Sequence, residues 1–229
     1  MGNNGASYTI YELVGTEEDC ARAYKELQQL ETLKDKDGAL VGLYGLNAFI
    51  YPDHISLEDF KTGNVHAPLT CDNYIDSCDL GDGSVVIHVQ DYGSADPDIV
   101  YYYAKSRNLS MNYVSSSWDG DCYMIYDPDK VFTDFEVNVY DGEEERDCSF
   151  HDLFENEQSY DHISTIYDGE FLAWCNKHGH KPDKDNIYQL SIEFTESELK
   201  PDDVLWITPY NWDESIEQLP ENPPNYYED

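Results

Sequence analysis

The chain has 229 residues, 48 acidic and 13 basic, for a formal net charge of −35. With 40% hydrophobic residues and 20 tyrosines it is too apolar for a disordered acidic tail, and it is long enough for one large domain or two small ones. A body this negative repels nucleic acid and anionic membrane surfaces, and it attracts basic surfaces and cations over about 8 Å at physiological salt.

Residues 8–14, YTIYELV, alternate and are β-rich, which predicts a strand. Thr16 offers an N-cap, Glu17, Glu18 and Asp19 fill a first turn, and Cys20, Ala23, Tyr24, Leu27, Leu30 and Leu33 recur at helical spacing. An amphipathic helix over 17–33 follows. DKDG (35–38) is a turn, and ALVGLYGLNAFIY (39–51) reads as one or two strands interrupted by Gly42 and Gly45. Residues 52–83 are rich in loop formers, with a short helix at ISLEDFKTG. SVVIHVQDY (84–92) is the clearest strand. SADPD opens a helix that runs to about Asn108. MNYVSSSW (111–118) and DCYMIYD (121–127) form a hairpin about Asp119-Gly120.

In VFTDFEVNVY, residues Val131, Thr133, Phe135, Val137 and Val139 share one face of a strand. Asp141-Gly142 ends it, and EEERD forms an acidic loop. Residues 151–157 suggest a short helix, 162–168 a short strand, and GEFLAWCNKHG (169–179) a helix closed by Gly179. IYQLSIEF (187–194) and DVLWITPY (203–210) read as strands. Strand, helix and then one or two strands occur twice. This predicts an α+β fold in the ferredoxin-like style, a mostly antiparallel sheet with helices on one face. The expected division is 1–83, 84–210 (one continuous domain with the first being the alternative), and an acidic Pro-containing tail at 211–229.

Catalytic motifs are missing: there is no GxGxxG, P-loop, HExxH or GxSxG. No catalytic residue, metal or cofactor is therefore expected. Cys175, His178 and His180 have zinc-like spacing but no second ligand pair, so a helix C-terminus is the simpler reading. DLGDGS and DPDKVFTDFE resemble calcium loops in part, but from Asp127 the sixth and twelfth positions are Phe132 and Asn138. The six cysteines are scattered, and MGNNGASYTIYELVG has no apolar signal core, which points to free thiols in a reducing cytoplasm. Salt adaptation is an alternative source of acidity; ten lysines among thirteen bases speak against it.

The acidity concentrates in DPDKVFTDFEVNVYDGEEERD (127–147), with nine carboxylates against Lys130 and Arg146. Same-face strand neighbours lie about 6.6 Å apart, and Asp119/Asp121, Asp127/Asp129 and Asp134/Glu136 have that spacing. With Asp141, Glu143, Glu144, Glu145 and Asp147 they suggest a ladder of negative points resembling regularly spaced phosphates. Tyr123, Tyr126 and Tyr140 are candidate aromatic anchors.

In size, diffuse acidity, tyrosine richness and this acidic sheet and loop (Asp119–Asp147), the chain resembles the acidic anti-defence proteins of phages and mobile elements. These are anti-restriction and anti-CRISPR proteins that imitate DNA. The resemblance implies a stoichiometric inhibitor without an active site. It would act in the bacterial cytoplasm on a basic nucleic-acid-binding protein such as a restriction or CRISPR nuclease, and a homodimer would suit it. The alternatives are an acidic adaptor that does not imitate DNA, and a cation-dependent enzyme or sensor.

Overall fold

Strand β1 (Ala6–Val14) runs through the middle of a six-stranded sheet, antiparallel to β3 (Ser84–Tyr92) on one side and β4 (Ser110–Ser117) on the other. The computed structural model describes residues 6–65, 73–92, 97–117, 123–132, 135–140, 163–164, 168–183, 186–198 and 204–224. The sheet order is β2-β3-β1-β4-β5-β9, with β2 at Tyr74–Leu80, β5 at Tyr123–Tyr126 and β9 at Asn211–Trp212. All pairings are antiparallel except β5 with β9. The first four strands and two helices form the βαββαβ arrangement with order 2-3-1-4, so the α+β, ferredoxin-like expectation holds.

The alternation in β1 explains why this sheet has a core face. Thr9, Tyr11 and Leu13 are buried, and their register partners Val85, Ile87, Val89, Met111, Tyr113 and Ser115 are buried too. Helix α1 (Glu17–Glu31) packs on that face through Cys20, Ala23, Leu27 and Leu30, and its N-cap Thr16 accepts a hydrogen bond from the Asp19 amide. Helix α4 (Pro97–Ser106) adds Val100, Tyr103 and Ala104 to the same cluster. The two helices meet where the Tyr103 hydroxyl donates to the Ala23 carbonyl and the Glu26 carboxylate.

Residues 39–51 are not strands. They form a 3-10 helix, Gly42–Leu46, followed by helix α2 (Asn47–Ile50). Gly42 has φ of +59°, and a Cβ there would lie 2.0 Å from the Asn73 carbonyl, which accepts from the Leu43 amide. Leu43, Leu46 and Ala48 are buried in the main core, so the apolar run belongs to a short helical segment. The short helix at 57–62 is present as α3 (Leu57–Thr62), with a Ser56–Asp59 capping box. Strand β2 lies inside the segment taken as irregular; a bulge between Ile75 and Ser77 breaks its alternation.

The expected division of the chain also changes. One unit comprises Met1–Phe132 with Asn211–Asp229, and the other is Thr133–Tyr210, inserted into it. Residues 84–132 therefore belong with the N-terminal part. The tail returns to it by pairing Met124 with Asn211 and Ile125 with Trp212, and it continues into a 3-10 helix at Ile216–Gln218. The strand expected over 131–140 crosses this boundary. The described strand β6 is Phe135–Tyr140, and Val131 is an exposed residue outside it.

The inserted unit has a three-stranded sheet with β6 between β7 (Ile163–Ser164) and β8 (Val204–Pro209), antiparallel to both. Helix α5 (Asp168–His178) ends at Gly179 with φ of +75°, as its glycine suggests. Residues 187–194 form a helix, not a strand: α6 is Ile187–Glu198. Ile187, Leu190 and Phe194 are buried at i, i+3 and i+7, packed with Phe171, Trp174 and Cys175 of α5. Asp183 and Asn186 exchange side-chain-to-amide hydrogen bonds ahead of the helix, a reciprocal cap that the β-rich composition masks. The short helix expected at 151–157 lies outside the described residues.

Candidate functional site

Of the predicted phosphate-like carboxylates, Asp119, Asp121, Asp134, Asp141, Glu143, Glu144, Glu145 and Asp147 lie outside the described residues. Tyr123 sits on β5, and Glu136 and Tyr140 sit on β6. Tyr126, Asp127 and Asp129 are placed in full.

Asp127 is not a surface charge. It is 7% exposed, and its two oxygens accept from the Val131 and Phe132 amides at 2.8 Å each. This carboxylate ties down the turn after β5, in which Lys130 takes φ of +58°. The Asp127/Asp129 pair is thus a turn rather than two rungs of a strand ladder. Its burial removes Asp127 from the partner-binding set. Asp129 is exposed, but Oδ2 accepts from Ser110 Oγ at 2.6 Å and Asn112 Nδ2 at 2.9 Å, which fixes the turn against β4.

Tyr126 and Asp129 belong to a surface whose other members come from α4 and the returning tail. The Trp212 ring lies 5.3 Å from the Tyr126 ring, centroid to centroid, and its Nε1 donates to Glu217 Oε1 at 3.1 Å. Burial raises the Tyr126 phenol pKa, and so do the neighbouring Tyr101, Glu217 and Asp129 groups. Lys105 reaches over the Tyr101 ring at 5.3 Å and donates to the Glu221 carbonyl.

Beneath this surface lies Asp213, 8% exposed, which accepts from the Tyr113 hydroxyl and from the Ser215 amide and hydroxyl. Burial pushes its pKa upward, but the hydrogen bonds from Ser215 and Tyr113 outweigh that and hold it below the usual carboxylate value. Asp98, in the first turn of α4, is raised by desolvation and then by the Asp213 charge.

Several of the few cations serve internal contacts. Arg107 Nε holds Glu26 at 2.7 Å, Nη2 donates to the Phe49 carbonyl, and the guanidinium lies against the Phe49 and Tyr103 rings. Arg22 bridges Asp19 and the Arg107 carbonyl. Even a one-to-one pairing of all 13 bases with the 48 acids would leave 35 acidic side chains without a Lys or Arg partner.

The Cys175, His178 and His180 trio does not converge. Cys175 is buried in the inserted unit's core, while His178 and His180 stack near Trp174 at 4.9 and 5.5 Å. Among the described residues, no group of three or more His, Cys, Asp or Glu is placed to hold a metal ion. DLGDGS spans the turn between β2 and β3, where Gly81 donates to the Ser84 carbonyl. Among the described residues, no helix is long and apolar enough to cross a membrane.

Sequence reading missed Trp212, Glu217 and Asp213 because Pro220, Pro223 and Pro224 made the tail look loose. The available signal was NWD followed by SIEQ, an aromatic and acids just after a strand. No family model, curated protein or solved structure matches the chain.

Proposed function

We propose that the protein is a DNA-mimic inhibitor. It occupies the basic nucleic-acid cleft of a bacterial defence nuclease in the cytoplasm and excludes DNA from it. The observation that carries this reading is the surplus of 35 negative charges on a folded body whose best-placed arginines are engaged internally. Solubility is reached with a net charge of about 2 to 8 in a small domain, so a surplus this large needs another purpose. Self-repulsion of such a body costs stability. Docking into a basic cleft relieves it.

With Asp127 internal, the mimicry rests on the field of the whole surface rather than on a regular ladder through that residue. No catalytic chemistry is needed: binding is stoichiometric, and affinity falls steeply with salt, as it does for DNA. The test is capture of partners from bacterial lysates on the immobilised full chain, eluted by salt and by duplex DNA. A DNA-binding nuclease displaced by both supports the proposal. Partners that duplex DNA does not displace point instead to an acidic adaptor and overturn the mimicry.

A further inference from the structure

Trp212 is 42% exposed, on the edge strand that closes the six-stranded sheet. Large aromatics left in water are a recurrent component of binding hot spots. This one is held in place: its Nε1 is bonded to Glu217, and its ring rests beside Tyr126 at an interplanar angle of 45°. The Glu217 carboxylate that accepts from Nε1 stands at the edge of this aromatic pair. The chain already uses such chemistry next door, where the Lys105 ammonium lies over the Tyr101 ring.

A flat apolar face with a carboxylate at its edge selects its occupant. Phosphate groups are repelled. An ammonium gains from the charge but has no planar face to stack. A guanidinium does both: it lies on the ring and directs its fork of N–H groups to the carboxylate. We infer that the Trp212 face, with Tyr126 and Glu217, seats an arginine side chain of a basic partner protein. This rests on the reading above that the partner is basic, and it adds an arginine-specific anchor to a diffuse field.

The test uses the full chain with two probes of equal charge, a deca-arginine and a deca-lysine peptide. Dissociation constants are measured by calorimetry for the wild type, Trp212→Ala, Trp212→Phe and Glu217→Gln. The wild type is expected to prefer deca-arginine by on the order of fivefold. Trp212→Ala loses that preference while binding deca-lysine as before, and Trp212→Phe retains part of it. Equal binding of the two peptides by the wild type, or a preference that survives Trp212→Ala, overturns the proposal. If Trp212→Ala does not fold, Glu217→Gln decides: an undiminished preference counts against the site, a reduced one for it. The two readings fail separately. A captured nuclease that binds wild type and Trp212→Ala equally removes the arginine seat and leaves the mimicry. An arginine preference that depends on Trp212, with no nucleic-acid-binding partner captured, does the reverse.

Discussion

The two ends of helix α4 handle negative charge in opposite ways. At the C-terminal end, Glu26 is 18% exposed and meets a cation, Arg107, which is itself 16% exposed and packed on Phe49 and Tyr103. At the N-terminal end, Asp213 has neutral donors, Tyr113 and Ser215, and Asp98 beside it carries like charge. The difference follows from supply. The larger unit, Met1–Phe132 with Asn211–Asp229, holds 28 acids and 8 bases by count, so most carboxylates must be stabilised by amides and hydroxyls or left to water. Neutral donors satisfy a buried carboxylate without cancelling its charge. The fold can therefore be well bonded and still present a strongly negative surface.

The largest effect is expected where the cation is removed. Arg107→Ala leaves Glu26 part-buried without its partner and strips two ring contacts, a loss of about 3 kcal/mol in urea unfolding. Adding Glu26→Leu to an Arg107→Met background should recover much of it, because the uncompensated charge goes too. If Arg107→Ala unfolds at the wild-type urea concentration, the two ends of α4 do not differ in the way described.

Asp213→Ala comes next. It removes the carboxylate that accepts from the Tyr113 hydroxyl and from the Ser215 amide and hydroxyl, at about 2 kcal/mol. The sign with pH is fixed by the depressed folded pKa. Such a carboxylate contributes stability above its unfolded value and loses it as pH falls through the lower folded value. Wild type and variant should therefore differ at neutral pH and converge only in acid below about pH 4. A gap that persists unchanged at pH 2 would mean Asp213 acts by packing alone.

Asp127→Ala should cost about 1 kcal/mol, as for loss of a helix cap, by freeing the Val131 and Phe132 amides. It should leave the affinity of the folded protein for a captured partner unchanged, whereas charge reversal at exposed Asp129 should weaken it. Equal weakening by both would return Asp127 to the binding surface.

Much of this architecture is legible from local pattern. β1 and β3 alternate cleanly, α1 is capped by Thr16 and striped with apolar residues, and these elements set the sheet order around them. The segments at 39–51 and 187–194 were not legible, because short apolar runs rich in Ile, Tyr and Phe fit a buried strand and a buried helix equally well. Gly42 and the Asp183–Asn186 cap decide them only once their partners are in place. The boundary at Phe132 is hidden within a run of period two. The aromatic surface depends on β5 pairing in parallel with residues far along the chain, which no local pattern encodes. Asp127 shows that acidity alone does not say which way a carboxylate points.

The smallest effect, and the sharpest on charge supply, is that of Asp98→Asn. Asp98 occupies the first turn of α4, where the helix dipole favours a negative charge. Its pKa is nonetheless raised, by desolvation and by Asp213. A carboxyl whose folded value exceeds its unfolded one contributes its full share when protonated and loses it as pH rises through the folded value. At pH 7 the charged side chain is thus a net liability, and the neutral amide should raise the melting temperature by less than Asp127→Ala lowers it. The advantage should fade on acidification through the ordinary carboxylate range, as Asp98 takes up its own proton. It should also shrink in an Asp213→Asn background, where the opposing charge is gone. A lower melting temperature for Asp98→Asn at pH 7 would show instead that the helix dipole outweighs Asp213, so that the N-terminal end of α4 tolerates its charges without strain.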